Sequence, residues 1–421
     1  LLRFAYEFPA IDGSRALHAV AVGSVFRNHV QCRRRVTIQR VYGSYIEYQP
    51  PLLAYDRLYE YLRGNDDLAE SIRRFVPWVK TGDDLIRLVD THLAQTMIKR
   101  VLRYNWFGDG REPQRIAELA AVFANAQATA PWMDWLFSRT FFYPGAVGGI
   151  QDLLIRGTDR DGRSPIGSFG YMSGEFSADK AAAQLEGYLN QGGLAKFDLR
   201  DFRRYPKTIS ALEFDRRART AGIFSPRFGS GSGPDKSSVH GFDPERAVTG
   251  WRWTQDPRFA YVVRHCVGRK GQTDAEWQAI ETAAATVRRS PWLDNRSRVL
   301  PNVMAFLETG LAHDDFRFRR AALVRVGIGQ GHHHEDTLDL QIYAHGVPIV
   351  ADSGQRRDTA YSTPHDRESR VHNVVVVDGK NWMAHSWARQ ITDTDGARYL
   401  CTQAAPPDGV RLFRRQVALV D

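Results

Sequence analysis

Apolar positions over the first two thirds of the chain recur at steps of three and four. Leu85, Leu88, Val89, His92, Leu93, Thr96 and Met97 fall on one helical face. Ile116, Leu119, Ala120 and Phe123 repeat the spacing within 112–128, where Pro113 suits a first helical turn. Weaker runs of the same period occupy 51–63, 67–80, 131–142, 146–156, 175–190, 207–221 and 275–288. Many helices with short connectors predict a helical array or toroid, and no fixed-length repeat marks a strict solenoid. Residues 225–250 interrupt the pattern, because Ser225-Pro226-Arg227-Phe228-Gly229-Ser230-Gly231-Ser232-Gly233-Pro234 has the composition of a flexible loop.

After about residue 297 the period drops to two. Leu338, Leu340, Ile342 and Ala344 alternate with Asp339, Gln341 and Tyr343, the pattern of a half-buried strand. His345-Gly346 reads as a turn into Val347-Pro348-Ile349-Val350. The valines at 374–377 lead into Asp378-Gly379, a hairpin signal, and Asp408-Gly409 separates another pair of strands. Helices first and strands afterwards predict an α+β chain: a helical domain over 1–295 and an antiparallel β domain over 296–421.

The length of 421 residues independently favours two domains over one core. No apolar run approaches the roughly 20 residues that span a bilayer, so no membrane partner is expected. The chain opens on Leu1 and stops at Asp421 within a strand-like run, and is read as a piece of a longer protein. The lack of a leader therefore says nothing about export. Cys32, Cys266 and Cys401 lie far apart and read as buried thiols, neither a disulfide framework nor a zinc motif. A net charge of +9 favours a polyanionic partner. The basic residues are scattered pairs such as Arg203-Arg204, Arg319-Arg320 and Arg356-Arg357, with one triplet at Arg33-Arg34-Arg35. No helix-turn-helix, zinc finger or aromatic RNA-binding signature accompanies them, so nucleic acid is not the expected partner.

The densest chemical signal is Gly331-His332-His333-His334-Glu335-Asp336. A lone histidine is more often a satisfied core or surface residue; three in a row beside acidic groups favour a site. In an extended segment His332, His334 and Asp336 share one face. Asp352 and His372 follow at strand edges. Neutral imidazoles and a carboxylate are ligands zinc accepts, so His334, Asp352 and His372 form a candidate metal set. A cupin-like oxygenase, which also uses a His-x-His pair in a β-sandwich, is the alternative metal reading, but it leaves the helical half without a purpose.

The order of these pieces resembles the heparinase II/III-like polysaccharide lyases. The resemblance is carried by Gly329-Gln330-Gly331-His332-His333-His334-Glu335-Asp336, the strand to His345-Gly346, Ala351-Asp352-Ser353-Gly354, and His372-Asn373-Val374-Val375-Val376-Val377-Asp378-Gly379. It covers 295–380 well and the helical half loosely. It implies an (α/α) toroid followed by a β-sandwich whose C-terminal part is missing here. It also implies β-elimination on a uronate-containing acidic polysaccharide, and a periplasmic or secreted location. By the same resemblance His332 is the active-site histidine, and His334, Asp352 and His372 hold a mainly structural zinc ion. Asp161-Gly162-Arg163-Ser164-Pro165-Ile166-Gly167-Ser168-Phe169-Gly170-Tyr171 is similar to the turn that opens a toroid helix, which makes Tyr171 the catalytic tyrosine.

Such a reaction removes the C5 proton of a uronate and expels the C4-linked sugar, so three functions must converge. A donor or cation neutralises the carboxylate, a base takes the proton, and an acid protonates the leaving oxygen. Relatives carry an Asn-His pair, or a His and a Glu, upstream of that tyrosine for the first function, and this chain has no such pair. Asn105, Asn125, Arg156 and His240 are the candidates in its place. Arg356, Arg357 and Tyr361, with His240, are the candidate substrate-binding residues, because guanidinium pairs bidentately with carboxylate or sulfate. A non-catalytic glycan-binding relative is the competing reading of the same fold. Neither the glycan nor the oligomeric state is legible.

Overall fold

The computed structural model describes residues 49–90, 158–163, 169, 201, 203, 205–230, 242–327, 332–352, 354 and 365–420. The chain forms two compact units that divide near residue 151. None of the described helices is long and apolar enough to cross a membrane.

In the first unit the described helices are α1 (Gln49–Arg63), α2 (Asp66–Arg73) and α3 (Gly82–Val89). The expected run over 67–80 ends early as a helix and continues in turns. Asn65 caps α2 by accepting from the Leu68 N–H at 2.9 Å, and Thr81 and Asp84 form a capping box on α3. Ala69, Ile72, Val79, Leu85 and Leu88 make one small core, and Tyr55, Leu62 and Ile86 another.

The second unit begins with helices. These are α4 (Pro206–Arg217), α5 (Pro244–Thr254), α6 (Pro257–Val262), a π-helical turn Val263–Val267, and α7 (Asp274–Ala285). Helix α5 lies where a loop was expected; Asp243 caps it and Pro244 occupies its first turn. Trp251, Phe259, Val263 and Ile280 bury the facing sides of these helices.

Strands follow from Arg298. The five-stranded antiparallel sheet runs in order β1 (Arg298–Leu300), β2 (Met304–Thr309), β3 (Arg320–Arg325), β4 (Leu340–Ala344) and β5 (Val347–Val350). A three-stranded antiparallel sheet contains β6 (Ser386–Thr394), β7 (Ala397–Ala404) and β8 (Phe413–Val420). Every residue of β2 is buried because the strand is the middle of three layers. Met304 and Phe306 pack with Phe214, Phe224 and Phe228 of the helical part. Ala305 and Leu307, of opposite parity, pack with Leu400, Ala404 and Phe413 of the second sheet. The architecture is α+β, helices followed by two packed antiparallel sheets.

A buried ion pair ties the first two layers. Glu308 on β2 accepts from Thr220 Oγ1 at 2.6 Å, the Ala221 N–H at 3.1 Å and Arg298 Nη1 at 3.2 Å. Burial pushes the Glu308 carboxyl up against the pull of Arg298.

Two expectations for the strands change. In β4 the polar set faces the interior: Gln341 and Tyr343 are buried, whereas Leu340, Ile342 and Ala344 are half-buried. The valines at 374–377 form no ladder, only an isolated bridge from Val377 to Lys380. The thiols also differ, since Cys401 is buried but Cys266 is exposed; Cys32 lies outside the described residues.

Candidate metal and histidine centre

Three segments of the second unit converge beside β4. The first is the irregular link 332–339 between β3 and β4. It is not the extended run that would put His332, His334 and Asp336 on one face: His332 has φ +35° and Leu338 φ +62°. The second segment carries Asp352 just after β5. The third is a single 3-10 turn, Ser369–Val371, which delivers His372.

Backbone hydrogen bonds lock these pieces. Glu335 N–H donates to Arg367 O at 2.9 Å and Ser369 Oγ to Glu335 O at 2.8 Å. Asn373 N–H donates to Asp339 Oδ1 at 2.9 Å. The entrance to the link is equally tight: at Gly327, φ +84°, a Cβ would sit 2.1 Å from the Asn302 Cα, so only glycine fits.

The side chains inside are acidic or imidazole, and buried. His372 Nδ1 and Asp352 Oδ2 are 2.7 Å apart, and Asp352 Oδ1 accepts from the Gly354 N–H at 2.6 Å. The His334 and His372 rings lie 5.2 Å apart. His334 is 0% exposed, yet both of its ring nitrogens lack a hydrogen-bond partner, as does His372 Nε2. Buried imidazole nitrogens with no hydrogen-bond partner are suited to ligating a metal.

Asp339 is a member of this centre that the sequence pattern missed. One ligand atom each from Asp339, Asp352 and His372 all lie within 4.8 Å of one another. Asp339 read as the polar half of a strand alternation; the available signal was a third acidic residue close behind Glu335 and Asp336.

Charge explains the titration of the group. Burial pushes His334 down to about 3, so it is neutral and able to ligate. Burial would also lower His372, but the hydrogen bond and charge of Asp352 prevail and raise it. Burial would lift Asp352; His372 holds it below the usual carboxylate range. Burial and then the charge of Asp352 raise Asp339, and burial raises Asp336 against the attraction of Arg325. Arg325, 3.7 Å from Asp336, lies over the Phe228 ring at 4.3 Å. Arg325 and His372 are cationic neighbours of the buried carboxylates of Asp336, Asp339 and Asp352, and a bound cation would add to their compensation.

His332 sits at the rim, half-buried. Its carbonyl accepts from the Ser230 N–H at 2.9 Å and from Ser230 Oγ at 3.3 Å, so the 225–230 loop grips its backbone. Thus His332, His334, Asp352 and His372 fall in one region. Tyr171, His240, Arg356, Arg357 and Tyr361 lie outside the described residues.

Comparisons with known proteins concern the family and the fold. Residues 318–417 match the family described as Heparinase II/III-like, C-terminal. Among solved structures the chain is similar to a heparinase III, with 11% identity, a TM-score of 0.61, and coverage of 98% of this chain and 58% of that one. It is also similar to a heparan sulfate lyase from Pedobacter heparinus, with 13% identity, a TM-score of 0.55, and coverage of 95% and 56%. A second heparinase III gives 14% identity, a TM-score of 0.54, and coverage of 99% and 57%. At these identities the likeness concerns the fold. The chain spans somewhat over half the length of these structures. No curated protein matches it. The resemblance to the heparinase II/III-like family, read from the His-rich motifs, holds.

Proposed function

We propose that this chain, whose residues 318–417 are heparinase II/III-like, is part of a lyase that cleaves a uronate-containing acidic polysaccharide by β-elimination. The observation that carries the reading is His332. A histidine with φ +35° is gripped through its backbone by a loop from the helical layer, at the rim of a buried histidine–carboxylate centre. Strained backbone held by its surroundings is a feature of functional positions.

In this reading Tyr171 or His332 takes the C5 proton as the bond from C4 to the leaving oxygen breaks, and Tyr171 gives a proton to that oxygen, with His240, Arg356, Arg357 and Tyr361 engaging the acidic substituents. Acid–base groups of this kind contribute about 10²–10⁴-fold, so cationic stabilisation of the enolate-like charge must carry the remainder. The helices belong to an (α/α) toroid over 1–295, and the whole acts in the periplasm or outside the cell.

A zinc ion would be held by Asp339, Asp352 and His372, whose ligand atoms lie within 4.8 Å of one another. His334, read from the sequence as a ligand, is not part of that set, its ring lying 5.2 Å from that of His372. The donors are carboxylate and imidazole, and among the described residues His372 Nε2 and both His334 nitrogens have no hydrogen-bond partner. When bound, the ion supplies positive charge that offsets the buried carboxylates and cross-links the three segments. His332 stays outside the ligand set and is the proposed proton-transfer group on this side of the site.

Incubation with heparan sulfate, alginate and ulvan, followed by ultraviolet absorbance of unsaturated uronate ends, tests the proposal. Turnover of at least one polymer is expected, reduced at least 100-fold by His332→Ala and by Tyr171→Phe. Unchanged turnover in either variant removes that residue from the mechanism. Absence of unsaturated product from a panel extended to other uronate polymers removes the lyase reading.

A further inference from the structure

The outward face of the three-stranded sheet carries a cluster that the proposed chemistry leaves unused. The register places Trp387, Gln403 and Arg414 in one row across β6, β7 and β8. Leu400, Thr402 and Ala404, of the other parity on β7, are buried, with Leu400 and Ala404 in the core shared with the first sheet. The row therefore points away from it. Trp387 is 40% exposed, and His385 lies alongside with ring centroids 6.0 Å apart and planes 30° apart.

A β-bulge between Ala388 and Gln390 leaves Arg389 as the extra residue of β6. Bulges re-aim side chains, and here Arg389 is turned onto the outward row. Arg389 Nη1 donates to Gln403 Oε1 at 2.7 Å, and Arg414 Nη2 donates to the same oxygen at 3.2 Å. Two exposed guanidiniums thus share one neutral acceptor. The remaining positions of this parity in the ladder are Gln390, Thr392, Thr394, Ala397, Tyr399, Cys401, Gln416, Ala418 and Val420, none of them acidic. Like charges gathered on a face without a carboxylate call for an external anion.

We propose that this face binds a stretch of anionic polysaccharide, as a site additional to the one around His332. The Trp387 ring presents rigid apolar area suited to the C–H face of a sugar ring. Arg389 and Arg414 present paired donors suited to carboxylate or sulfate. The row crosses three strands, about 10 Å, so it addresses an extended polymer and not a small molecule in a pocket. The choice of glycan over other polyanions rests on the lyase reading, and its function is to hold the polymer while another stretch is cut.

The test measures binding of heparan sulfate and alginate chains by affinity electrophoresis and calorimetry. It uses the full chain in a His332→Ala background so that the probe survives. Trp387→Ala, and Arg389→Ala with Arg414→Ala, should each weaken binding about tenfold, and Trp387→Phe should restore most of it. With His332 intact, the same variants should leave turnover of the shortest cleavable oligosaccharide unchanged and slow turnover of dilute long polymer. Glycan binding that depends on Trp387 in a chain without lyase activity upholds this site and removes the catalytic reading. Polymer binding and turnover indifferent to all three residues overturn the site. So does equal, Trp387-dependent binding of a single-stranded oligonucleotide, which makes the face a nucleic-acid surface.

Discussion

Stripping divalent metal from the chain should lower its melting temperature by up to about 10 °C. Two routes give the size. Among the described residues both His334 nitrogens and His372 Nε2 are buried without a hydrogen-bond partner, and each unsatisfied buried group costs about 1–3 kcal/mol. Satisfying one of them is therefore a gain of about 1–3 kcal/mol. Independently, a ligand present at 1,000 times its Kd stabilises the folded state by about 4.1 kcal/mol. The centre lies in the unit that runs from Asp152 to Asp421. For a unit of that size each kcal/mol moves the melting temperature by roughly 2–3 °C. The assay is a thermal melt of chelator-treated protein during zinc titration, with metal content read by mass spectrometry. His372→Ala should abolish the zinc-dependent rise, and Asp339→Asn should reduce it. Arg317→Ala, at an exposed pair with Asp315, should leave it intact. A melt that excess zinc does not move, in protein that binds less than one ion per chain, would refute the reasoning.

Glu308→Leu should destabilise the second unit by about 3–5 kcal/mol, because it leaves Arg298 buried without its carboxylate; urea denaturation at fixed metal load reads this. His332→Gly should abolish lyase turnover yet raise stability by up to about 1 kcal/mol, because glycine accepts φ +35° without strain; a destabilised variant would show that the imidazole is structural. The metal-free chain should lose stability on acidification through His334. Burial pushes its folded value to about 3, below the roughly 6.5 of an unfolded histidine. The unfolded chain therefore binds the extra proton between those values. That contribution is complete above about pH 6.5 and fades as pH falls towards 3. His334→Asn should flatten this part of the profile of urea midpoints, and identical profiles for both proteins would contradict it.

Periodicity carried the helices that lie on one core, such as α1, α4 and α7, because a single apolar face is a local property of sequence. It missed α5, where Gly- and Ser-rich neighbours hid the capping Asp243 and Pro244. The alternation in β4 correctly paired Leu340, Ile342 and Ala344 on one face, but not which face is more deeply covered. That depends on the helical layer, which presents Arg227 and Phe224 to Gln341 and Tyr343. The valines after Asn373 looked like a strand because composition records propensity alone. Asn373 O instead takes Leu340 N–H and Arg415 Nη1, and Val375 is left 60% exposed. The metal candidates His334, Asp352 and His372 were legible as motif spacing. Asp339 was not, since its membership is created by the turn at Thr337 and Leu338 that folds the strand start back over His372.

The hydrogen bonds trace a route by which a cation at the proposed centre would affect His332. Asp339 Oδ2 accepts from Gln341 Nε2 at 3.0 Å, and Gln341 Oε1 accepts from Tyr343 Oη at 3.0 Å. The same carboxamide bonds both the N–H and the carbonyl of Arg227. Three residues on, Ser230 holds the His332 carbonyl. A line of buried and part-buried polar contacts, completed by the backbone from Arg227 to Ser230, therefore runs from the acidic centre, through the inward face of β4, to the loop that fixes the histidine. Polar groups so buried have no aqueous alternative, so any shift of Asp339 either propagates along the line or leaves a donor unsatisfied. A cation held by residues that include Asp339 and Asp352 would favour one arrangement of this line. Loss of metal should then reduce turnover by misplacing His332, while His332 itself needs no contact with the ion.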